Sequence, residues 1–527
     1  MRLRLLISVL VLLLVVPAGA SASGKAKPSG PSWHPPLSGA VTESIGPARP
    51  GGSHAPVAMP GSFTPVDLTV GSNQNVVVGD VTNAVEHSSG PACFVGDQTP
   101  QNETTISMDP SNPDNLIGGA NDYRYFVVSE QRYDGAAGAY VSHDGGATWT
   151  NEFMPGISEQ AGGTYQGVGD PAFAWDPSGD VVYYANIAFN RQANPATGHS
   201  AFASAIAVSR SFDKGNTWET HYVIQDDDPA VFHDKEWIAV GPDGTVYVAW
   251  ALFKSGQGGP FQYLGSPIVI SKSEDQGETW TEPQEISAGP YAQFATPVVA
   301  DDGTVYVSYE LWENPIGRSG GRAFVAKSTD GGDTWTNHFV ALINDLPNPL
   351  PHSAFRVASY PVLDVGDDGA LHMVWSNWQS GSADIVYTRS SDGGATWNKP
   401  VKINQESVKA DQFFQWISVS GDFVHVGFVD RQYTDDALLD HSYAVSTDGG
   451  ASWSQTERVT TASSRSDASM FGANCTGEFI GDYTGIVADE GTAHVLWMDG
   501  RPGVTQPTSP SGDDDDQDAF HATVSVE

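Results

Sequence analysis

One octapeptide recurs six times along this 527-residue chain and constrains its fold more than any other feature. The first copy runs from Ser142 to Trp149, and the shared pattern is Ser-x-Asp-x-Gly-x-(Thr/Ser)-Trp. Its aspartates stand at positions 144, 213, 275, 330, 392 and 448, so the steps are 69, 62, 55, 62 and 56 residues. Steps of this regularity indicate one supersecondary unit per repeat.

Each octapeptide lies inside a longer pattern of strand signals. In the third unit, an apolar stretch at 237–240 is followed by the turn 241–244 and by a second strand that ends at Trp250. Strand alternation around an Asp-Gly turn is typical of a hairpin. A third strand then leads into the octapeptide and a fourth leaves it, so each unit is predicted to be a four-stranded antiparallel sheet.

First strands recur seven times, one more than the octapeptide. The seventh unit has strand signals near 479–487, 492–497 and 519–524, and the chain then stops without a fourth strand. The stretch 64–69 resembles the fourth strands of other units and is predicted to supply the missing one. The sequence therefore predicts an all-β, seven-bladed β-propeller closed by its own N-terminal strand, since closure leaves no unpaired sheet edges.

Composition narrows the possible partners. The formal charge is −38, from 25 Lys and Arg against 63 Asp and Glu, which argues against nucleic acid and anionic membranes as partners. The 57 Gly and 34 Pro agree with a chain rich in turns. The histidines are scattered without an HExxH pattern, so no zinc site is predicted.

Residues 1–23 are predicted to be a secretory signal peptide. Arg2 and Arg4 precede an uninterrupted apolar run at 5–16, with cleavage expected near Ala20 or Ser23. A membrane anchor is the alternative, although the run is shorter than the ~20 residues that a span needs. Residues 24–62 are rich in Pro, Gly and Ser and predict a disordered linker before the propeller at 63–527. We expect a secreted, extracellular monomer.

The only two cysteines, Cys93 and Cys475, lie just before the first and seventh units, which are neighbours across the seam of the ring. A disulfide there is feasible in an oxidising compartment, and two free thiols are the alternative. The run of four aspartates at 513–516 is interpreted as a solvated loop, with a structural calcium site as the alternative. No other cofactor is predicted.

The six octapeptides resemble the Asp-box, the signature turn of sialidases and related BNR-repeat propellers, over about residues 100–525. In such a box the Ser hydroxyl and the Asp carboxylate bond the N–H groups of the turn, and the second Gly supplies a positive φ. The Trp packs between neighbouring sheets. All six boxes are therefore interpreted as structural. Sialidases have six blades, so a six-bladed ring is the alternative to the seven counted here.

Candidate site residues follow from propeller geometry, because inner-strand starts and second-strand ends open on one face and the boxes on the other. Asp234 and Glu236 would share one side of a regular strand, and glycoside hydrolysis requires two carboxyl groups. The resemblance to sialidases implies a Tyr nucleophile, a Glu partner and an Asp acid/base, and assigns them to Tyr483, Glu478 and Asp234. Other polar residues on this face include Glu103, Lys235 and Asp482.

Four arginines stand at equivalent second-strand ends, each close to an Asp or Asn: Arg124, Arg191, Arg431 and Arg501. One interpretation is that they bind a substrate carboxylate in bidentate fashion. The other is that each pairs with its neighbouring acid and holds a loop. Asp170, at the start of the second unit, is a further substrate-binding candidate.

These features predict a sialidase-like glycoside hydrolase that acts at the central pocket on an extracellular glycan, acidic glycans included. A non-catalytic propeller that binds carbohydrate or protein is one alternative. A polysaccharide lyase that uses a Tyr or His base, with Arg to neutralise a uronate, is another.

Overall fold

Seven antiparallel sheets follow one another around a ring in the computed structural model of this chain. The structure describes residues 57–59, 63–78, 100–127, 132–256, 263–313, 320–434, 438–466, 470–471, 477–501 and 517–527. The only helix among them is the short 3-10 turn Glu159–Ala161. The prediction of an all-β, seven-bladed propeller is confirmed, and the six-bladed alternative is not what the chain forms.

Four predictions fall outside the described residues: the signal peptide, most of the linker, the Cys93–Cys475 pairing and the aspartate run at 513–516. Within the described part of the chain, no helix is long and apolar enough to cross a membrane. In the same ranges, no group of His, Cys, Asp and Glu side chains has the arrangement needed to hold a metal ion.

Each blade has an inner strand beside the axis, then a second, a third and an outer strand. In that order the bounds are Gln101–Met108, Leu116–Val127, Arg132–Ser142 and Thr150–Phe153 in blade 1; Gly167–Trp175, Val182–Phe189, Ser204–Ser211 and Glu219–Asp226 in blade 2; Val231–Val240, Val246–Ser255, Ile268–Ser273 and Gln284–Glu285 in blade 3; Ala292–Val299, Val305–Leu311, Gly321–Ser328 and Thr336–Ile343 in blade 4. They are Val362–Val365, Leu371–Gln379, Ser382–Ser390 and Val401–Lys402 in blade 5; Gln412–Ser420, Phe423–Asp430, Leu438–Ser446 and Glu457–Arg458 in blade 6; Gly485–Asp489, Thr492–Asp499, Asp518–Val526 and Leu68–Val70 in blade 7. Short additional strands are Gln74–Asn75, Tyr263–Gly265, Ser464–Arg465 and the hairpin Met470–Phe471 with Gly477–Glu478.

The N-terminal strand closes the ring as predicted, although its pairing starts at Leu68 and not at residue 64. Leu68–Val70 lies antiparallel to Asp518–Val526, with Leu68 opposite Val526. Gln74–Asn75 pairs with the same strand further on. The inner strands contact one another around the whole circle, including the last with the first.

Before it reaches blade 7, the N-terminal segment contacts the outer strand of blade 5 and the Asp-box of blade 6. Ala58 pairs in parallel with Val401, and its carbonyl accepts a 2.8 Å hydrogen bond from the N–H of Lys402. Phe63 pairs in the same way with Trp453, the last residue of the blade 6 box. This segment therefore contacts two blades and completes a third.

The Asp-box turns have the predicted internal bonds. In the first box the Ser142 hydroxyl donates to Asp144 Oδ1 at 2.9 Å and accepts from the N–H of Gly146 at 2.9 Å. The other oxygen of Asp144 accepts from the Thr148 hydroxyl at 2.7 Å. The five remaining boxes repeat these contacts. Because every bond lies within eight residues, the turn is encoded locally.

Each box also contacts the preceding blade. The Trp149 ring lies 5.2 Å from the ring of His521 in blade 7. Gly146 has a φ of 85°, and a Cβ there would strike the same His521 ring. The box therefore needs glycine for its backbone conformation and for its close approach to the preceding sheet.

A basic residue just before three of the boxes ties that blade to the following one. Arg210 Nη1 donates to the Gln276 carbonyl at 2.7 Å, and Lys272 Nζ donates to the Gly331 carbonyl at 2.8 Å. Lys327 makes the equivalent bond with the box of blade 5 at 3.0 Å. These bonds fix the angular spacing of neighbouring blades.

Removal of the closing strand tests the seam. A chain that begins at residue 79 exposes the long edge strand Asp518–Val526, and we expect it to unfold roughly 5–10 °C lower and to self-associate. A chain that begins at residue 57 keeps every described contact and is the matched control. Calorimetry and light scattering provide the readout, and equal behaviour of the two truncations would contradict closure by this strand.

Candidate active site

The inner strands share a distortion near their starts. In blades 1, 2, 3, 4 and 6 a β-bulge leaves two residues without cross-strand partners, and the first of them has φ between 52° and 60°. These positive-φ residues are Glu103, Asp170, Lys235, Phe294 and Phe414. Positive φ is uncommon outside glycine, and a bulge re-aims a side chain. The same register position in successive blades therefore presents side chains toward one another around the axis.

Lys235 lies at the centre of an ion cluster that joins four blades. Its Nζ is 3.1 Å from Glu103 Oε1, 2.8 Å from Asp170 Oδ1 and 2.8 Å from Asp482 Oδ2. Asp482 precedes the inner strand of blade 7, so blades 1, 2, 3 and 7 each contribute one group. Lys235 is the most exposed of the four at 6%. We call these four residues the axial cluster.

Arg356 adds a second cation, from the connection between blades 4 and 5. Its Nε donates to Asp482 Oδ1 at 2.8 Å, and its Nη2 is 3.7 Å from Glu103 Oε1. The guanidinium lies over the ring of Phe479 at 4.7 Å. At 16% exposure its side chain is the most open part of the assembly. Arg356 therefore lies between the axial cluster and the solvent.

The acids of the cluster differ in how readily they ionise. Burial raises the pKa of Glu103 well above its usual range, and the neighbouring Asp170 charge raises it further. Burial also opposes ionisation of Asp482, but the charges of Arg356 and Lys235 hold its pKa well below normal. Burial opposes ionisation of Asp170 as well, but the charge of Lys235 and hydrogen bonds from its neighbours together lower its pKa. The axis therefore holds two stable carboxylates and a protonated glutamic acid around one ammonium.

Asp234 is the acid best placed to exchange a proton near neutral pH. Burial, and then the charge of Asp170, raise its pKa to about 7, although Lys235 opposes the rise. Neither carboxyl oxygen of Asp234 has a hydrogen-bond partner among the described residues, and the neighbouring carboxylate of Asp170 acts on it through its charge. A like charge at short range disfavours a second ionised carboxylate, so Asp234 is the member of the pair that takes up a proton.

The bulge changes the predicted relation between Asp234 and Glu236. Regular alternation would place both on one side of the strand, but the pairing register shifts between Asp234 and Trp237. Glu236 is buried, and neither of its carboxyl oxygens has a hydrogen-bond partner among the described residues. Burial raises its pKa well above the usual range, so it is held as the neutral acid.

Tyr483 packs among aromatic rings beside the cluster. Its ring lies 5.6 Å from that of Trp237 and 6.0 Å from that of Trp416, and Lys235 Nζ lies 5.6 Å from its centroid. Burial and the nearby Asp170 charge raise the pKa of its phenol well above normal. In the described ranges its hydroxyl has no hydrogen-bond partner. This environment stabilises the neutral phenol.

Glu478 makes no hydrogen bond with the Tyr483 hydroxyl, which has no partner among the described residues. It lies in the short hairpin with Met470–Phe471 and pairs through its backbone with Phe355. The charges that act on the Tyr483 phenol come instead from Asp170, Glu103, Glu236 and Asp482. The structure thus gathers Asp234, Glu236, Asp170 and Tyr483 around Lys235, and the role of Glu478 stays a prediction.

All four arginines named from the sequence are engaged in ion pairs. The pairs are Arg124–Asp122, Arg191–Asp134, Arg431–Asp411 and Arg501–Asp499. The ion-pair interpretation therefore describes their contacts, and a part in substrate binding stays a prediction. Two partners differ from their sequence neighbours, because Asp134 belongs to blade 1 and Asp411 precedes the inner strand of blade 6.

Sequence reasoning placed Glu103, Lys235 and Asp482 on this face but gave them no role. Glu103, Asp170 and Lys235 occupy the same bulge position in blades 1 to 3, so an alignment of the repeats would have grouped them. Arg356 lies outside the repeating pattern, and only the folded chain reveals it.

Comparison with known proteins confirms the Asp-box resemblance. A family model described as a BNR repeat-like domain matches residues 192–415. The chain is 26% identical over 320 residues to a xyloglucanase of a Paenibacillus species. The matched region covers 58% of this chain and 27% of that protein. The chain is 25% identical over 279 residues to a sialidase of Micromonospora viridifaciens, covering 49% and 39%. The chain thus spans about a quarter to two fifths of the length of these relatives.

Among solved structures, one titled "Hadza microbial sialidase Hz136" superposes with a TM-score of 0.42 at 17% identity. The match covers 78% of this chain and 74% of that one.

Replacement of the central cation tests the axial cluster. Lys235→Met leaves Glu103, Asp170 and Asp482 without their shared ammonium, and we expect a loss of about 3–5 kcal/mol in the free energy of unfolding. Lys254→Met, which removes an exposed ion pair with Glu285, is the control and should change it by less than about 1 kcal/mol. Urea unfolding at neutral pH measures both, and similar losses would show that Lys235 is not the centre of a buried network.

The proton on Asp234 predicts a pH dependence of stability. The pKa of Asp234 is about 7 in the folded chain and about 4 in the unfolded chain, so between these pH values only the folded chain keeps the proton. This contribution is complete at low pH and is lost as the pH rises through 7. Asp234→Asn stays neutral, so its melting temperature should fall less than that of the wild type between about pH 5 and about pH 8. Asp180→Asn, at an exposed turn, controls for the lost charge. Parallel profiles for wild type and Asp234→Asn would refute the raised pKa.

Proposed function

We propose that this chain, an Asp-box propeller with a BNR repeat-like domain, is a secreted glycoside hydrolase that acts on a neutral glycan at the axial cluster. The observation that carries the proposal is the Asp234–Asp170 pair, in which one carboxyl keeps its proton near neutral pH beside another that is ionised. Its curated relatives include xyloglucanases and sialidases, which supports a glycosidase in the broad sense.

Hydrolysis of a glycosidic bond needs a proton for the leaving oxygen and a base for the attacking water, or a nucleophile. Asp234 is the proton donor in this proposal, because its pKa of about 7 leaves a large fraction of it protonated near neutral pH. Asp170 is its charged neighbour and raises its pKa, so we do not assign it the role of the opposite carboxylate, which stands about 5–9.5 Å away in such enzymes. Asp170 instead favours the protonated form of the donor through its negative charge. Asp482, an ionised carboxylate that pairs with Lys235, is the candidate for the second role.

Charge favours a neutral substrate over an acidic one. The two ionised carboxylates of the axis, Asp170 and Asp482, balance its two cations, Lys235 and Arg356, so no positive charge is left over for an acidic ligand. Both cations already bind carboxylates, and so do the four arginines of this face. A sialic acid or uronate would have to displace one of these internal partners. We therefore place a sialidase-type substrate second to a neutral glycan.

The burial of Asp234 and of the axial cluster favours a second candidate function, a propeller that binds glycans without cleaving them. Asp234 is 0% exposed, and the ion pairs of the cluster already satisfy one another. A cluster of this kind also stabilises a ring without any catalytic part. The two candidates differ in whether Asp234 is needed for turnover.

Turnover by two aspartate variants separates them. We expect Asp234→Asn to lower kcat on a fluorogenic neutral glycoside by about 10²–10⁴-fold, and wild-type activity to fall as the pH rises through 7 because the donor loses its proton. Asp364→Asn is the matched control: Asp364 also has a pKa of about 7 but accepts the Val419 N–H near the far end of the blade 5 inner strand.

The panel should contain neutral glycosides and the sialic acid derivative. Equal turnover by both variants would remove Asp234 from the mechanism. Cleavage of the sialic acid derivative alone would replace the neutral substrate with an acidic one. Binding of neutral oligosaccharides without any cleavage would establish the second candidate.

A further inference from the structure

A groove of about 350 Å³ opens between blades 3 and 4, at the rim of the ring and away from the axial cluster. Its walls come from the third and outer strands of blade 3 and from the Asp-box of blade 4. This volume falls within the roughly 300–1,000 Å³ typical of small-molecule sites. Nothing in the proposed hydrolysis uses this groove.

The corresponding space between blades 5 and 6 is filled. In blades 3 and 5 the outer strand has only two residues, and Ile270 and Tyr387 are the equivalent third-strand positions opposite its first residue. The Tyr387 ring packs edge-on against Trp453 at 4.9 Å, and Phe63 of the N-terminal segment pairs with Trp453 as well. In blade 3 the smaller Ile270 takes the place of the tyrosine, and no described segment crosses the outer strand. The groove beside Trp335 is therefore open because blade 3 lacks both the third-strand tyrosine and the N-terminal segment that pack beside Trp453.

The walls of the groove combine aromatic and hydroxyl-binding groups. Trp335 is half-buried and Tyr247 lies deeper, so both present apolar ring surface to the groove. Thr281, Glu282 and Gln284 are exposed beside them. A sugar ring has a C–H face that packs on aromatic side chains and a rim of hydroxyls that donate to carboxylate and amide oxygens.

The charges in the groove exclude an anion. Its one cation, Lys272, already donates to the Gly331 carbonyl at 2.8 Å and to Asp333 Oδ1 at 3.1 Å. Two carboxylates, Glu282 and Asp333, face the groove beside it. An anionic ligand would meet net negative charge and no available cation, whereas hydroxyl donors find acceptors.

We propose that the groove between blades 3 and 4 is a second, non-catalytic site that binds one or two units of a neutral glycan chain. The site stands apart from the axial cluster, so it holds whether or not the chain cleaves its ligand. Trp335 and Tyr247 form the apolar side of this site, and Gln284 and Glu282 bind the hydroxyls.

A filled groove tests the site. Gln284→Trp places an indole in the groove against Trp335 and should weaken binding of neutral oligosaccharides at least about tenfold, by analogy with the loss of a buried ligand contact. Glu457→Trp is the matched control, because Glu457 is the equivalent first residue of the outer strand in blade 6. The probes are cellohexaose, xylohexaose and mannohexaose, with a hexamer of galacturonic acid as the anionic comparison, measured by calorimetry.

The expected result is binding of at least one neutral hexamer by the wild type and by Glu457→Trp, weaker binding by Gln284→Trp, and no preference for the galacturonate. The measurements are made in the Asp234→Asn background as well, where binding in the groove should persist. Equal binding by the two tryptophan variants would overturn the proposal. Absence of binding to every neutral hexamer, or a preference for the acidic one, would overturn it too. Matching melting temperatures establish that the variants are folded.

Discussion

Antiparallel pairing of Leu68–Val70 with Asp518–Val526 is the constraint on which the rest of this molecule depends. It joins the two ends of the described chain into one blade and so closes seven sheets into a ring. Only a closed ring places the starts of all the inner strands around one axis. The bulges at those starts then bring side chains from blades 1, 2, 3 and 7 within ion-pair distance.

Burial sets the protonation states of the side chains in the axial cluster. Ionised groups removed from water are tolerated only when opposite charges or hydrogen bonds compensate them. Lys235 and Arg356 compensate Asp170 and Asp482, whereas at Glu103, Asp234 and Glu236 burial outweighs the nearby positive charge and raises the pKa. Burial of more acids than the two cations can compensate therefore produces a proton donor on the axis. Because both cations are paired internally, a neutral glycan fits the proposed reaction better than an acidic one.

The N-terminal segment also shapes the outside of the ring. It completes blade 7, and before that Ala58 pairs with the short outer strand of blade 5 and Phe63 pairs with the Asp-box of blade 6. The equally short outer edge of blade 3 has no such cover among the described residues, and a groove lined by Trp335 and Tyr247 is left beside it. A repeated architecture thus acquires one distinct surface because a single segment contacts some repeats and not others.

The repeat, the seven sheets, the closing strand and the internal bonds of each Asp-box were all predictable from the amino-acid pattern. The turns and strands follow from patterns within a few tens of residues, since turn bonds and strand alternation are local, and the closing strand follows from the missing fourth strand of the seventh unit. Propeller geometry also placed Asp234, Glu236 and Tyr483 on one face.

How these side chains are arranged depends on the folded ring. The bulge after Asp234 breaks the alternation that would have aligned it with Glu236, and Arg356 enters from a loop outside the repeat. The bond between Lys235 and Glu103 joins residues 132 positions apart. The closed ring brings charges together over such separations in the sequence, and their burial then sets their pKa values. No local pattern in the sequence predicts either effect.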